Sequence, residues 1–110
     1  MAAKQEILAL AVVEAFDGKD EECLRVLSEF YGMLRHKGYS RDVLYRDARN
    51  PRRLVNLRYW TSEESRHQAH EDPHVHKFWK RLSEISSVTT VFEQLEDVTP
   101  GEPRAQRQAP

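Results

Sequence analysis

Several of the features that often reveal a protein's chemistry are scarce in this chain. It has one cysteine, Cys23, so no internal disulfide can form, and a reducing compartment, the cytoplasm, is the expected location. It has four glycines and no Gly-rich phosphate loop, dinucleotide fingerprint or Gly-x-Ser-x-Gly elbow, which argues against nucleotide binding and against the matching hydrolase chemistry. The net charge of -1 gives no reason to expect a nucleic acid or a membrane surface as partner.

Long hydrophobic runs are also missing. The apolar run near the N-terminus covers residues 7–13, which is too short for a membrane span or for a secretory signal of the usual form. It is also too short for a stable helix, and its aliphatic composition predicts a strand that is buried on both faces.

The rest of the chain predicts alternating helices and strands. Residues 20–37 have acids in the first turn, bases in the last turn and Gly38 just beyond, which is typical of a helix. Residues 40–47 and 53–60 predict a hairpin around the polar turn 47–52, and Thr61 to Glu64 form a capping box that starts the next helix. Pro73 should interrupt that helix, which we expect to resume near Val75.

A last strand is predicted over residues 88–95. The order βαββαβ predicts an α+β, ferredoxin-like domain with a four-stranded antiparallel sheet and two helices on one face. Residues 1–97 would form this domain, and the Pro-containing residues 98–110 a disordered tail.

The two apolar faces of the first strand predict a homodimer. Helices can cover only one face of the sheet, and the simplest cover for the other face is the sheet of a second copy. The alternative is a monomer whose C-terminal tail lies across the open face. The apolar side chains concerned alternate along the strand as Ile7, Ala9, Ala11 and Val13 on one face and Leu8, Leu10 and Val12 on the other.

The strand over residues 53–60 carries the candidate ligand-binding residues. Its period-two alternation places Val55, Leu57 and Tyr59 on the interface side. The opposite face carries Leu54, Asn56, Arg58 and Trp60. Polar groups in such an apolar setting need partners, which could be each other, helix groups or a ligand. The alternatives are that Asn56 and Arg58 make only structural contacts and that Trp60 is ordinary core.

Four of the five histidines lie close together, at His67, His70, His74 and His76. Their spacing could bring imidazoles together on a metal, but only Glu71 and Asp72 are nearby as further ligands, so solvated histidines are the favoured interpretation and no metal site is predicted. Cys23 lies in a helical apolar pattern and is interpreted as packing. The basic residues near the hairpin turn either solvate that loop or guide an anionic ligand; they are Arg46, Arg49, Arg52 and Arg53.

Several short segments resemble one family. They are Leu44-Tyr45-Arg46-Asp47, Asn50-Pro51, the strand end Tyr59-Trp60, Ser62-Glu63-Glu64, Ala69-His70, Asp72-Pro73-His74-Val75 and Phe78. Together they are similar to the antibiotic biosynthesis monooxygenase domain over about residues 6–96. The resemblance implies a dimeric α+β barrel, with the two sheets packed together and a pocket between sheet and helices in each subunit.

The resemblance also implies a chemistry and its residues. Some members oxidise reduced phenols or quinols with molecular oxygen and use no metal, flavin or nicotinamide, so no cofactor is expected. Asn56 and Trp60 match the pocket residues of such members, and His70 and His74 match their helix histidines as candidates for proton transfer. Arg58 and Phe78 are candidates for substrate contact. The chain departs from the family at Arg58, where many members carry an acid.

Three functions remain open from the sequence. The first is a cofactor-independent monooxygenase acting on a small aromatic or quinol-type substrate. The second is a small-molecule binding module of the same fold without catalysis. The third is a haem-binding or haem-degrading protein, which is disfavoured because that branch uses an Asn on the first strand and this strand is aliphatic from Ile7 to Val13.

Overall fold

The chain folds into four strands and three helices, as described by a computed structural model over residues 7–101. The elements in chain order are β1 (Ile7–Ala15), α1 (Asp20–His36), β2 (Ser40–Asp47), β3 (Asn50–Trp60), α2 (Glu63–Glu71), α3 (Pro73–Ile85) and β4 (Ser86–Leu95). The predicted βαββαβ order is confirmed, with the second helix divided in two.

The strands form one antiparallel sheet in the order β2-β3-β1-β4. The most apolar strand, β1, therefore lies between two neighbours, as a strand buried on both faces should. Odd-numbered residues of β1 and even-numbered residues of β3 share one face of the sheet, because Ala11 pairs with Asn56 and Val13 pairs with Leu54. This face lies under the helices, since Val13 and Leu54 belong to the same buried core as the apolar residues of α1. The inner face of the sheet thus carries the side chains that the sequence singles out on β3.

Helix α1 covers this inner face with a wide apolar stripe. Its first turn carries three acids and its last turn two bases, in accord with the helix dipole, and Gly38 follows with a φ of 76°.

Cys23 lies in the core with no exposed surface, and burial raises the pKa of its thiol, partly opposed by a hydrogen bond with Ser86. The thiol is thus held in its protonated, unreactive form, as the packing interpretation of Cys23 requires.

The break between α2 and α3 lies earlier than the sequence predicted. Helix α3 begins at Pro73 itself and not near Val75, because proline is well suited to the first position of a helix and Asp72 caps it by accepting a hydrogen bond from the His74 backbone N–H at 2.8 Å. Helix α2 is capped one residue later than predicted. The Ser62 hydroxyl accepts from the Ser65 backbone N–H at 3.0 Å, so Thr61 lies outside the helix.

The hairpin between β2 and β3 is also tighter than predicted. Asp47 pairs with Asn50, so the turn contains only Ala48 and Arg49, and the Asp47 carboxylate accepts a hydrogen bond from the Arg49 backbone N–H at 2.9 Å. A register shift between Arg46 and Asp47 takes up the extra residues of β3. The strand β3 therefore starts at Asn50 and includes Pro51, which lies before the first residue of β3 that pairs with β1.

None of the helices in residues 7–101 covers the outer face of the sheet. Leu10 pairs with Leu57 on one side and with Phe92 on the other, so these three apolar side chains are neighbours on this face. Phe92 is 51% exposed in the single chain. In the part of the chain that is described, no helix is long and apolar enough to cross a membrane. Residues 98–101 lie outside the helices and strands, and the rest of the predicted tail, 102–110, lies outside the described residues.

Candidate active site

A cavity of about 650 Å³, measured out to its open mouth, lies between the inner face of the sheet and the helices. Its floor is made of buried side chains, namely Val13, Leu27, Asn56, Arg58, Trp60 and Leu82. Its mouth is made of exposed ones, namely His70, Trp79, Thr90 and Glu93. The cavity is therefore apolar with a few polar groups at defined places.

Asn56 lies on the floor with its amide nitrogen already engaged. Nδ2 donates to the Asp42 carboxylate at 3.1 Å and lies 3.5 Å from the carbonyl oxygens of Val43 and Leu57. A carboxylate accepts only from the NH₂ side of an amide, so this contact fixes the orientation of the amide. Its oxygen accepts no hydrogen bond from another residue in 7–101. The group that Asn56 offers a ligand is therefore an acceptor, whereas an oxyanion would require a donor.

Arg58 also lines the cavity and is 8% exposed. Its Nε donates to the same Asp42 oxygen at 2.6 Å, and the Asp42 side chain has no exposed surface. The pairing follows from the register, because Asp42 is opposite Arg58 in the β2–β3 ladder. Ser40 donates its hydroxyl to the other Asp42 oxygen at 3.0 Å. We call Ser40, Asp42, Asn56 and Arg58 the Asp42 cluster.

Aromatic rings surround the Arg58 guanidinium on several sides. Its central carbon lies 5.1 Å from the ring centre of Phe30, 5.8 Å from Tyr31, 5.4 Å from Trp60 and 6.0 Å from Trp79. Cation–π contacts at these distances favour a guanidinium that is removed from water. The same aromatic rings line the cavity, so a flat ligand bound there would also pack against them.

Trp60 ends β3 on the floor of the cavity and is 5% exposed. Its ring meets the His70 ring edge to face, with the ring centres 6.1 Å apart. The indole N–H donates no hydrogen bond to any other described residue. The structure therefore brings four of the predicted residues, Asn56, Arg58, Trp60 and His70, around one cavity.

Tyr31 is a cavity residue that the sequence analysis did not single out as functional. It occupies the apolar stripe of α1, and at that position nothing in the pattern distinguishes a ligand contact from core. Burial raises the pKa of its phenol well above the usual range, opposed by the nearby Arg58. The hydroxyl therefore stays protonated at neutral pH and can donate a hydrogen bond, but it is not a base.

Two predicted residues lie elsewhere. Phe78 is not part of the cavity wall and stacks behind it on Phe30, with ring centres 5.1 Å apart. His74 is exposed outside the cavity, where its Nδ1 accepts from the Lys37 ammonium at 2.8 Å. The same ammonium donates to Asp72 at 2.7 Å.

The group around Asp72 joins the end of α1 to the start of α3. Tyr39 donates its hydroxyl to the Asp72 carboxylate at 2.7 Å, beside the contacts with Lys37 and His74. Hydrogen bonds from Lys37 and then from Tyr39 hold the pKa of the Asp72 carboxyl far below its usual range. We call Lys37, Tyr39, Asp72 and His74 the Asp72 cluster.

The remaining histidines do not converge. His67 pairs with Glu71 at 3.5 Å on the surface, and the ring of His76 contacts the backbone oxygen of His70. Within residues 7–101 there is no group of three or more His, Cys, Asp or Glu side chains placed to hold a metal ion.

Comparison with known proteins agrees with this architecture. Residues 7–81 match the antibiotic biosynthesis monooxygenase family. The chain belongs to this family. No curated protein matches it in sequence. The family as a whole includes monooxygenases that work without a cofactor.

Solved structures share the fold at low sequence identity. SnoaB, a cofactor-independent oxygenase from Streptomyces nogalater, is 17% identical with a TM-score of 0.73, over 88% of this chain and 99% of SnoaB. A candidate antibiotic biosynthesis monooxygenase from Nitrosomonas europaea is 10% identical with a TM-score of 0.73, over 93% and 99% of the two chains. A conserved protein from Methanosarcina mazei is 20% identical with a TM-score of 0.65, over 82% and 94%.

Proposed function

We propose that this chain is a cofactor-independent monooxygenase that oxidises a small aromatic or quinol-type substrate with molecular oxygen. The observation that carries the proposal is the convergence of Asn56, Trp60 and His70 on one apolar cavity, in a member of this family. SnoaB, which shares the fold, is itself a cofactor-independent oxygenase.

The cavity residues suit the steps of such a reaction. The Asn56 oxygen can accept a hydrogen bond from a substrate hydroxyl, and Trp60 can stack on the ring, so the substrate is oriented before it reacts. His70 at the mouth can take the substrate proton and pass it to water, since an imidazole nitrogen can act as a general base. His74, predicted for the same role, contacts Lys37 in the Asp72 cluster outside the cavity and has no part in this reaction scheme.

The electrons come from the substrate. Deprotonation makes the substrate electron-rich enough to reduce O₂. One oxygen atom of O₂ is then added to a ring carbon as a carbonyl. The other oxygen atom leaves as water, with the two hydrogens that the substrate loses. A phenol and O₂ thus give a quinone and water. The protein supplies orientation, a proton acceptor and an apolar site.

Oxygen consumption tests this function directly. Purified, chelator-treated protein would be assayed with hydroquinones, naphthols and anthrones. We expect uptake above the uncatalysed rate that falls about 10-fold or more in Asn56→Ala and in Trp60→Phe, because each removes a substrate-orienting group. Asn50→Ala, at the hairpin turn, is the matched control because it changes the other asparagine of the chain. Uptake unchanged in both cavity variants would contradict the assigned site.

Binding without turnover is the second candidate, and one feature of the cavity favours it. The buried Asp42 carboxylate is paired with Arg58 and does not line the cavity, and the acid that does line it, Glu93, is at the exposed mouth. Neither carboxylate is therefore a free buried base beside the substrate. Ligand-induced thermal stabilisation with no oxygen uptake across the panel would favour this function. Haem degradation is disfavoured, because β1 contributes only Ala9, Ala11 and Val13 to the cavity wall and no asparagine.

The homodimer stays part of the proposal, with the outer face of the sheet as its interface. Leu10, Leu57 and Phe92 are adjacent there, and a second sheet would remove them from water. Phe92→Glu should convert a dimer to a monomer in sedimentation equilibrium. Phe16→Glu is the control, because Phe16 follows β1 and is similarly exposed, 47% against 51%. A monomeric wild type at micromolar concentration would contradict the dimer.

A further inference from the structure

The Arg58 guanidinium has unused hydrogen-bond donors in a buried place. Its Nε is bonded to Asp42, but neither terminal amino group donates a hydrogen bond to another residue of the described chain, although only 8% of Arg58 is exposed. A buried charged donor without an acceptor is costly, so groups of this kind in folded proteins are normally satisfied by another group, by water or by a ligand. The cavity beside Arg58 is where such an acceptor can be placed.

Asp42 determines which part of the guanidinium is left free. The Asp42 carboxylate, on β2, accepts a hydrogen bond from the Arg58 Nε at 2.6 Å, and its other oxygen accepts one from the Ser40 hydroxyl. The two terminal amino groups remain, and they form the fork that matches two oxygens of a planar anion. Asp42 is therefore a positioning residue, which fixes the direction of the fork and does not itself contact the ligand.

Two further polar groups of the cavity also suit an oxygen-bearing ligand. The Tyr31 hydroxyl and the Trp60 indole N–H are donors without a partner among residues 7–101, and both residues line the cavity. The aromatic rings of Phe30, Trp60 and Trp79 provide flat surfaces next to the guanidinium.

We propose that this cavity binds its substrate as an anion, namely a flat aromatic compound whose carboxylate or phenolate oxygen is held by the terminal amino groups of Arg58. This inference rests on the proposed function, since it names the substrate class of the same cavity. An anion so held is also the electron-rich form of a phenol that reduces oxygen. Arg58 would thus favour the reactive form of the substrate.

Isothermal titration with matched probes tests the proposal separately from any oxygen chemistry. The first pair of probes is 2-naphthoate and its neutral isostere 2-naphthamide. A third probe, 4-nitrophenol, is titrated at one pH below and one pH above its own pKa, which distinguishes phenolate binding from carboxylate binding. We expect the wild type to bind 2-naphthoate roughly 10- to 100-fold more tightly than 2-naphthamide, as a charge-assisted hydrogen bond would give.

The variants separate ligand recognition from folding. Arg58→Gln alone would leave Asp42 buried and unpaired, so it is combined with Asp42→Asn, which keeps the neutral pair close in shape. This double variant should lose the preference for 2-naphthoate and still bind 2-naphthamide. Asp42→Asn alone should weaken 2-naphthoate binding and leave 2-naphthamide unchanged, which a purely structural role would not produce. Arg81→Gln, which removes an exposed charge outside the cavity, is the control and should behave as the wild type.

Three results would overturn the inference: equal binding of acid and amide by the wild type, a preference that persists in the double variant, or no binding of 2-naphthoate and 4-nitrophenolate at millimolar concentration. Oxygen uptake without an anion preference would remove this inference and leave the oxygenase. Anion binding without uptake on any substrate would do the reverse.

Discussion

The Asp42 cluster and the Asp72 cluster use the same chemistry in two regions of the molecule. Each has a carboxylate that bonds a basic side chain at 2.6–2.7 Å and also accepts from a hydroxyl group. Their hydroxyl donors are neighbours in the chain, because Tyr39 donates to Asp72 and Ser40 donates to Asp42. They differ in position: the Asp42 side chain is completely buried and bonded to Asn56 and Arg58 of the cavity floor, whereas the Asp72 side chain, 9% exposed, caps α3 at the surface beside Lys37.

The difference between the clusters lies in what remains unsatisfied. The Lys37 ammonium bonds Asp72 and His74 and has 28% of its side chain in contact with water, which can accept from it. The Arg58 guanidinium has little access to water, and its terminal amino groups have no acceptor in the described chain. The same pair of charges is therefore a structural link in one place and, in our proposal, a ligand-binding group in the other, with burial as the distinction.

The largest effect should come from separating the buried pair. Arg58→Met leaves the Asp42 carboxylate without its cation, and we expect the free energy of unfolding to fall by about 3–5 kcal/mol. Urea denaturation measures this change. Adding Asp42→Leu should restore most of the loss, since an apolar pair costs no desolvation of charge. A loss below about 1 kcal/mol in the single variant would show that the two clusters are energetically alike.

The two histidines sharpen the same comparison through activity. His70→Ala removes the imidazole that contacts Trp60 at the cavity, and we expect the turnover number for oxygen uptake to fall at least about 10-fold. His74→Ala changes the surface cluster, and its uptake should stay close to that of the wild type. The opposite order would favour the sequence-based prediction of a proton-transfer role for His74 over its structural position.

The Asp72 cluster should reveal itself through acid sensitivity. The pKa of Asp72 is lowered in the folded protein, so its contribution to stability is present above the unfolded carboxyl pKa, about 3.9, and is lost as pH falls through the lower folded pKa. Asp72→Asn keeps a helix cap but removes the charge. At pH 7 it should cost about 1 kcal/mol. Thermal melts against pH should show this deficit shrinking below about pH 4; a constant deficit would contradict the assignment.

The smallest effects should come from single hydroxyl groups. Ser40→Ala removes one donor to the buried Asp42 and should cost about 1 kcal/mol in unfolding free energy. Tyr39→Phe removes one donor to Asp72 and should cost less, because water can replace the hydroxyl there. Denaturation curves of the two variants, recorded side by side, compare the clusters one donor at a time. A larger cost for Tyr39→Phe would reverse the comparison.

Much of the fold could be predicted from the sequence because its signals are local. The apolar run of β1, the acids and bases at the two ends of α1 and the alternation of β3 are each contained in one short segment. The errors were also local. Pro73 does interrupt the helix as predicted, but the second part begins at Pro73 itself and not near Val75, because an Asp cap followed by a Pro suits the start of a helix. The hairpin turn was placed too wide because the register shift at Arg46 leaves no mark in the sequence.

The candidate site could be predicted only in part. Alternation alone placed Asn56, Arg58 and Trp60 on one face of β3, and the resemblance to the family added His70. Asp42 was not found, because β2 alternates weakly and its partner across the ladder depends on the register shift. Tyr31 was not found because a helical apolar stripe looks the same whether it faces a core or a cavity.

The sequence by itself determined the element order, the inward face of β3 and the types of group placed on it, since these follow from side-chain periods of 2 and 3.6 along a single segment. Only the tertiary structure decided which of those groups are already satisfied. Asp42 takes the Asn56 amide nitrogen and the Arg58 Nε, which leaves an acceptor on one residue and a cationic fork on the other. The physical reason is that hydrogen-bond partners from different strands are set by register and burial, and neither is a property of one segment.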